Sequence, residues 1–280
     1  MKRPGAADFT GRDLAFRAAD PATAEALTAE QVEHFNALGF VPELDVFTTD
    51  EASAIRTYVD GLLDGRDSYS ILGYHLVCAG LHDLVTEPRI LRYVRDILGD
   101  EVVCWGTQVF AKQPRDGKEV PFHQDAVYWP FTPSRTVTAW LAIDDVDDGN
   151  APMQFVPGSH HEGPIAHEVL ELDGTRVLGR RALGMDGRPG RFSDTMRAGQ
   201  CSLHTDLLLH GSAPNASDRR RAGLTIRYAA AEVRYMEGFD EWGAMAVHVL
   251  DGDPSGYWKD APRPDGEHPE DMPRIAPETA

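Results

Sequence analysis

The chain has 280 residues, 42% of them hydrophobic, enough for one large buried core or two small ones. A formal net charge of −18 sets its surface against nucleic-acid phosphates and anionic membranes, so partners of those kinds are not expected. No apolar run reaches the length of a membrane span, and Met1-Lys2-Arg3-Pro4-Gly5 leads into polar sequence without a secretory signal, so a cytoplasmic protein is expected.

Residues 1–27 lack periodicity and read as a loose arm. Thr28-Ala29-Glu30-Gln31 has the capping-box form and predicts a helix to about Leu38, stopped by Gly39. Phe40-Val41-Pro42 reads as extended. A second capping box, Thr48-Thr49-Asp50-Glu51, opens a stronger helix with Ile55, Val59, Leu62 and Leu63 at helical spacing. A third helix is predicted from Pro88, with Ile90, Leu91, Val94, Ile97 and Leu98 on one side and Gly99 at its end.

From residue 101 the pattern changes to short runs rich in Val, Phe, Trp and Thr between Pro, Gly, Asp and Asn. The predicted strands are 102–112, 136–144, 151–156, 200–210 and 221–233, a pattern that suits a sandwich or barrel. Residues 161–198, with much Gly and Arg, read as an insertion and a candidate lid. Residues 251–280, rich in Pro, Asp and Glu, read as a surface-hugging or disordered tail. One domain over 1–280 is expected, with a helical flank at 28–100 and a β core at 101–235. Cys78, Cys104 and Cys201 are far apart and match no CxxC pattern, which favours buried thiols over disulfides or a zinc site.

The chemistry concentrates in Pro121-Phe122-His123-Gln124-Asp125. Residues i and i+2 of an extended chain point to the same side, so His123 and Asp125 can reach one metal ion together. A histidine from a distant segment would complete two imidazoles and a carboxylate on one face of an octahedron, the arrangement of non-haem iron oxygenases. Of the eleven histidines, His210 is the best third ligand, because it ends the run Leu207-Leu208-Leu209 and precedes Gly211-Ser212. A second HxD, His204-Thr205-Asp206, lies nearby. If 204–210 is one strand, its ends are about 20 Å apart at about 3.3 Å per residue, too far to share an ion. His160 and His161 read as loop residues, and His167 as exposed in preference to facing the pocket from the insertion.

After His210, Pro214-Asn215 signals a turn and a hairpin return begins near Arg221. Alternation puts Arg221, Gly223, Thr225 and Arg227 on one face, with Ala222, Leu224, Ile226 and Tyr228 on the other. Arg221, expected on the strand paired with the His210 segment and with room beside it at Gly223, offers a bidentate fork to a carboxylate. A dicarboxylate that chelates the metal through a keto acid end, as 2-oxoglutarate does, would place its far carboxylate there, with the Ser212 hydroxyl adding a hydrogen bond. Arg219 and Arg220 read as a solvated basic turn.

These segments resemble the phytanoyl-CoA dioxygenase family of Fe(II)/2-oxoglutarate oxygenases, which includes ectoine hydroxylases. Carrying the resemblance are Phe122-His123-Gln124-Asp125, Tyr128-Trp129-Pro130, Ala139-Trp140-Leu141-Ala142-Ile143-Asp144-Asp145, the run from Asn150 through Pro157-Gly158-Ser159-His160, and Leu209-His210-Gly211-Ser212 through Asn215 to Arg221. The resemblance implies a mainly β fold with flanking α, a double-stranded β-helix (jelly roll, cupin-like) core with N-terminal helices outside. It implies Fe(II) on His123, Asp125 and His210, 2-oxoglutarate at Arg221 with Gln108, Trp140 and Ser212 nearby, O₂ as oxidant, and Trp129 in the substrate pocket. By packing alone, Trp129 and Trp140 would be core aromatics. Related halogenases carry a small residue in place of the carboxylate ligand, so Asp125 favours hydroxylation of a small metabolite or natural-product intermediate, with release of succinate and CO₂. Selectivity is expected at 69–75, at 161–198 and at 235–242. Two other readings stand beside this one: a non-catalytic jelly roll that binds a ligand, and a metalloenzyme of the same fold that does not use 2-oxoglutarate. Oligomeric state is not legible.

Overall fold

Both capping boxes close. The Thr28 amide donates to Gln31 Oε1 (2.9 Å) and the Gln31 amide to Thr28 Oγ1 (3.2 Å), opening α1 (Ala29–Leu38). Gly39, at φ 90°, ends that helix in the left-handed region that favours glycine. Thr48 and Glu51 repeat the arrangement at α2 (Thr49–Leu63). Two more helices follow: α3 (Ala79–Val85), which no sequence signal announced, and α4 (Pro88–Leu98), with proline at its first turn. A computed structural model describes residues 9–186, 188, 190–239 and 244–272. No helix among them is long and apolar enough to cross a membrane.

The strands are β1 (Phe40–Asp45), β2 (Glu101–Lys112), β3 (Val120–His123), β4 (Phe131–Thr132), β5 (Thr136–Ala142), β6 (Met153–Phe155), β7 (His167–Val169) and β8 (Arg180–Ala182). Then come β9 (Phe192–Asp194), β10 (Gln200–Thr205), β11 (His210–Ser212), β12 (Arg221–Ala230), β13 (Arg234–Tyr235), β14 (Met245–Leu250) and β15 (Lys259–Asp260). A seven-stranded sheet runs β1-β10-β5-β12-β2-β14-β15, and a four-stranded sheet runs β3-β11-β6-β9. Together they form the jelly roll that the resemblance implied.

The larger sheet has two unlike faces. Its outer face packs on the helices through one apolar cluster that includes Phe35, Val59, Leu81, Ile90 and Val94 with Ala139, Leu203, Leu224 and Ile226. Its inner face lines the space toward the smaller sheet. A β-bulge matters there: Arg227 pairs with Gly106 and Tyr228 with Cys104, so Trp105 is the extra residue. The bulge shifts the side-chain parity of β2 and brings Trp105 beside Arg227.

The structure corrects or refines five expectations. The run 200–210 is two strands in different sheets, broken by a turn at Asp206-Leu207. Strand β12 is hydrogen-bonded to β2 and β5, whereas His210 lies on β11 between β3 and β6, so Arg221 faces the His210 strand from the opposite sheet. The described part of the N-terminal arm is anchored, because Arg12 donates to the carbonyls of Ala126, Trp129 and Phe131 at 2.7–2.8 Å. Asp96 also accepts the amides of Glu25, Ala26 and Leu27. In 161–198, β7 and β8 pair with each other and β8 packs against β3, while β9 joins the smaller sheet. The tail holds a buried tryptophan, Trp258, whose Nε1 donates to the Val233 carbonyl (3.0 Å). Residues 1–8, 187, 189, 240–243 and 273–280 of the segments discussed above lie outside the described residues.

Candidate metal centre

His123 ends β3 and is the register partner of His210, which begins β11. Asp125 opens the single turn that follows β3. One ligand atom from each of the three lies within 4.8 Å of the others, and all three residues are buried. His123 Nε2 is 3.4 Å and His210 Nε2 3.7 Å from Asp125 Oδ1. Each ring is oriented from behind: His123 Nδ1 donates to the Pro121 carbonyl (2.8 Å) and His210 Nδ1 to the Leu208 carbonyl (2.9 Å). A carbonyl can only accept, so Nδ1 carries the proton and the lone pair of Nε2 points into the site, as a metal ligand requires.

Electrostatics agree with that assignment. Burial, then the charge of His123, push His210 down to about 3, so the imidazole is neutral at ordinary pH. Burial raises Asp125, yet His210, His123 and His204 together hold it well below the usual carboxylate value. Two imidazoles and one carboxylate fit a divalent ion of the iron type and leave further positions open.

His204 is the residue that sequence reasoning set aside. The turn after β10 reverses the chain, so the His204 and His210 rings are 4.7 Å apart between centroids, although one continuous strand would separate them far more. His204 Nε2 lies 3.7 Å from Asp125 Oδ2, and Thr138 Oγ1 donates to the same oxygen at 3.4 Å. The two oxygens of Asp125 are thus divided, one toward the paired histidines and one toward Thr138 and His204. Asp206 points elsewhere, accepting from Ser134 Oγ (2.7 Å). Gln124, between the two ligands of the motif, ties down the start of the insertion. Its Nε2 donates to the carbonyls of Gly163 and Leu207, and its Oε1 accepts the Ile165 amide. His167, expected exposed, is partly buried and accepts the Gln124 amide at Nε2 (3.1 Å).

Across the cavity, Arg221 is buried and forms no ion pair among the described residues. Its Nε donates to the Ala151 carbonyl (3.0 Å) and its guanidinium lies 5.4 Å from the Trp140 ring centroid. Burial lowers its pKa to about 10. The space at Gly223 is taken by Trp140 itself: a Cβ there would stand 1.9 Å from Trp140 Cζ2. Lys112, the register partner of Arg221, donates through Nζ to the carbonyls of Ser212 (3.4 Å) and Ala213 (2.6 Å), which links the two sheets beside the site. Gln108 and Trp129 gather at a different residue, Arg227. Its Nη2 donates to Gln108 Oε1 (3.1 Å), and its guanidinium lies 5.4 Å from Trp129 and 5.8 Å from Trp105. The alternation read along 221–228 had already put Arg227 on the face of Arg221, so the signal was present without a role attached.

A jelly roll with two imidazoles from adjacent strands and a carboxylate from the turn that follows β3, facing a buried arginine across the sheets, defines a cupin-like protein with a candidate metal site. The chain belongs to the phytanoyl-CoA dioxygenase family, whose model it matches over residues 20–223. It is 30% identical over 158 residues to the peroxisomal phytanoyl-CoA dioxygenase of Bos taurus, covering 54% of this chain and 47% of that protein. The chain therefore spans about half the length of that relative. It is 27% identical over 238 residues to the ectoine dioxygenase of Bordetella parapertussis, covering 75% of this chain and 77% of that one. Among solved structures, the non-haem monooxygenase ThoJ in its apo form superposes with a TM-score of 0.71 at 26% identity, over 84% of this chain and 88% of that one.

Proposed function

We propose that the protein is an Fe(II)- and 2-oxoglutarate-dependent dioxygenase that hydroxylates an unactivated C–H bond of a small metabolite or natural-product intermediate. The observation that carries this reading is the His123–Asp125–His210 cluster, with both imidazoles held in the ligating tautomer. In it, His123, Asp125 and His210 would hold the iron, and Arg221, which lies against Trp140, would receive the far carboxylate of 2-oxoglutarate. Bound together, iron and 2-oxoglutarate supply an oxidant from O₂, with succinate and CO₂ released. The protein's own part is orientation and exclusion. Pro121 and Leu208 fix the ligand rings, Thr138 and His204 steady the carboxylate, and the segment anchored by Gln124 shields the site. Retention of Asp125 favours hydroxylation over halogenation.

The test is anaerobic titration of the Fe(II)-loaded protein with 2-oxoglutarate, followed by the visible charge-transfer band of the chelate. A band is expected, absent in Asp125→Ala and weakened in Arg221→Gln. Iron bound without a band would instead indicate a metalloenzyme that does not use 2-oxoglutarate, and no iron binding would indicate a non-catalytic jelly roll.

A further inference from the structure

We infer that Arg227 anchors an anionic group of the substrate, so that the molecule oxidised carries a free carboxylate; this rests on the reading above of the metal triad and of Arg221. Arg227 is buried and forms no ion pair among the described residues, and its hydrogen bond to Gln108 is to a neutral amide. Its Nε is buried without an acceptor. A buried guanidinium stays charged, and one left without a counter-charge is costly. Cation–π contact with Trp105 and Trp129 offsets part of that cost and presents the group as a rigid plate.

Nearby groups point to the same chemistry. Trp105 Nε1 can only donate, and it too is buried without a partner, as is the hydroxyl of Tyr128, whose ring stands edge-on to His123 at 5.5 Å. This wall therefore holds buried donors that lack acceptors. Its charge suits substrate rather than co-substrate, and its place is at the metal centre. Arg227 is the register partner of Thr138, which touches Asp125, so it stands beside the metal centre. Charge bookkeeping leads to the same place: a divalent metal and Arg221 balance Asp125 and a doubly charged co-substrate, which leaves Arg227 uncompensated.

The experiment uses the anaerobic protein loaded with Fe(II) and 2-oxoglutarate, titrated calorimetrically with three acids and their amides: phenylacetate, indole-3-acetate and hexanoate. At least one acid is expected to bind about tenfold or more tighter than its amide, as a charge-assisted pair would give. In Arg227→Gln that preference should fall to roughly threefold or less, and Arg227→Lys should retain part of it as a point charge. Arg221→Gln should leave the preference intact while weakening the chelate band. Equal binding of acids and amides, no binding by any acid, or a preference that survives Arg227→Gln would each overturn the assignment. Loss of the chelate band in the parent protein would instead overturn the oxygenase reading, so the two failures are distinguishable.

Discussion

Strand β12 is buried at all ten positions, but its two faces carry opposite chemistry. Outward, Ala222, Leu224, Ile226 and Tyr228 belong to the apolar cluster under the helices. Inward, Arg221, Gly223, Thr225 and Arg227 face the cavity between the sheets, and the two arginines form no ion pair among the described residues. The outer face is complete within the chain, because helix side chains fill it. The inner face leaves charge and hydrogen-bonding capacity unspent, which a ligand must satisfy. Burial alone therefore does not separate core from site; the separating variable is whether the chain itself supplies the partners.

That contrast can be broken by paired substitutions. Leu224→Ala on the outer face should destabilise the protein by about 2–5 kcal/mol, read from the urea midpoint, with 2-oxoglutarate affinity nearly unchanged. Arg221→Gln, three residues away, should do the reverse, moving the midpoint little and weakening 2-oxoglutarate by about tenfold or more. If both lost stability alike, the inner face would be ordinary core.

Gly223→Ala probes the boundary. The new Cβ meets Trp140 at 1.9 Å, so the indole must move. A loss of about 1–3 kcal/mol is expected, together with changed tryptophan fluorescence and weaker 2-oxoglutarate binding, because Trp140 lies under Arg221. An unchanged emission spectrum would count against that packing.

A separate effect concerns pH in the metal-free protein. Burial pushes His75 down to about 3 and His160 down to about 4. Unfolded histidine takes up its proton near pH 6.5, so between about 6.5 and 3 the unfolded chain binds more protons than the folded one. Stability should therefore be full above pH 6.5 and fall on acidification, by up to about 1.4 kcal/mol per pH unit per group. His75→Gln, which can keep the hydrogen bond to Thr107, should make the slope of melting temperature against pH shallower. An identical slope in the variant would remove His75 from the account. The smallest expected effect is in the helical flank, where Thr48→Ala should lose about 1 kcal/mol with the cap of α2 and leave the cavity untouched, checked by the urea midpoint and the chelate band.

What the amino-acid order determined by itself lies within a few residues of chain. The two capping boxes, the glycine that ends α1, the alternation of β12 and the spacing of His123 and Asp125 are short-range geometry, set by backbone dihedrals and side-chain period. Helix α3 was not legible, because seven residues give too few turns for a period to show. Tertiary structure alone decided the rest. It turned the chain at Asp206 and so set His204 against Asp125, it put Arg221 in the sheet opposite His210, and it drew Arg12 across to the carbonyls of 126–131. Each of these depends on which strand enters which sheet. That choice is made by burying the outer face of the larger sheet under the helices, a cooperative outcome of many distant apolar contacts that no local pattern encodes.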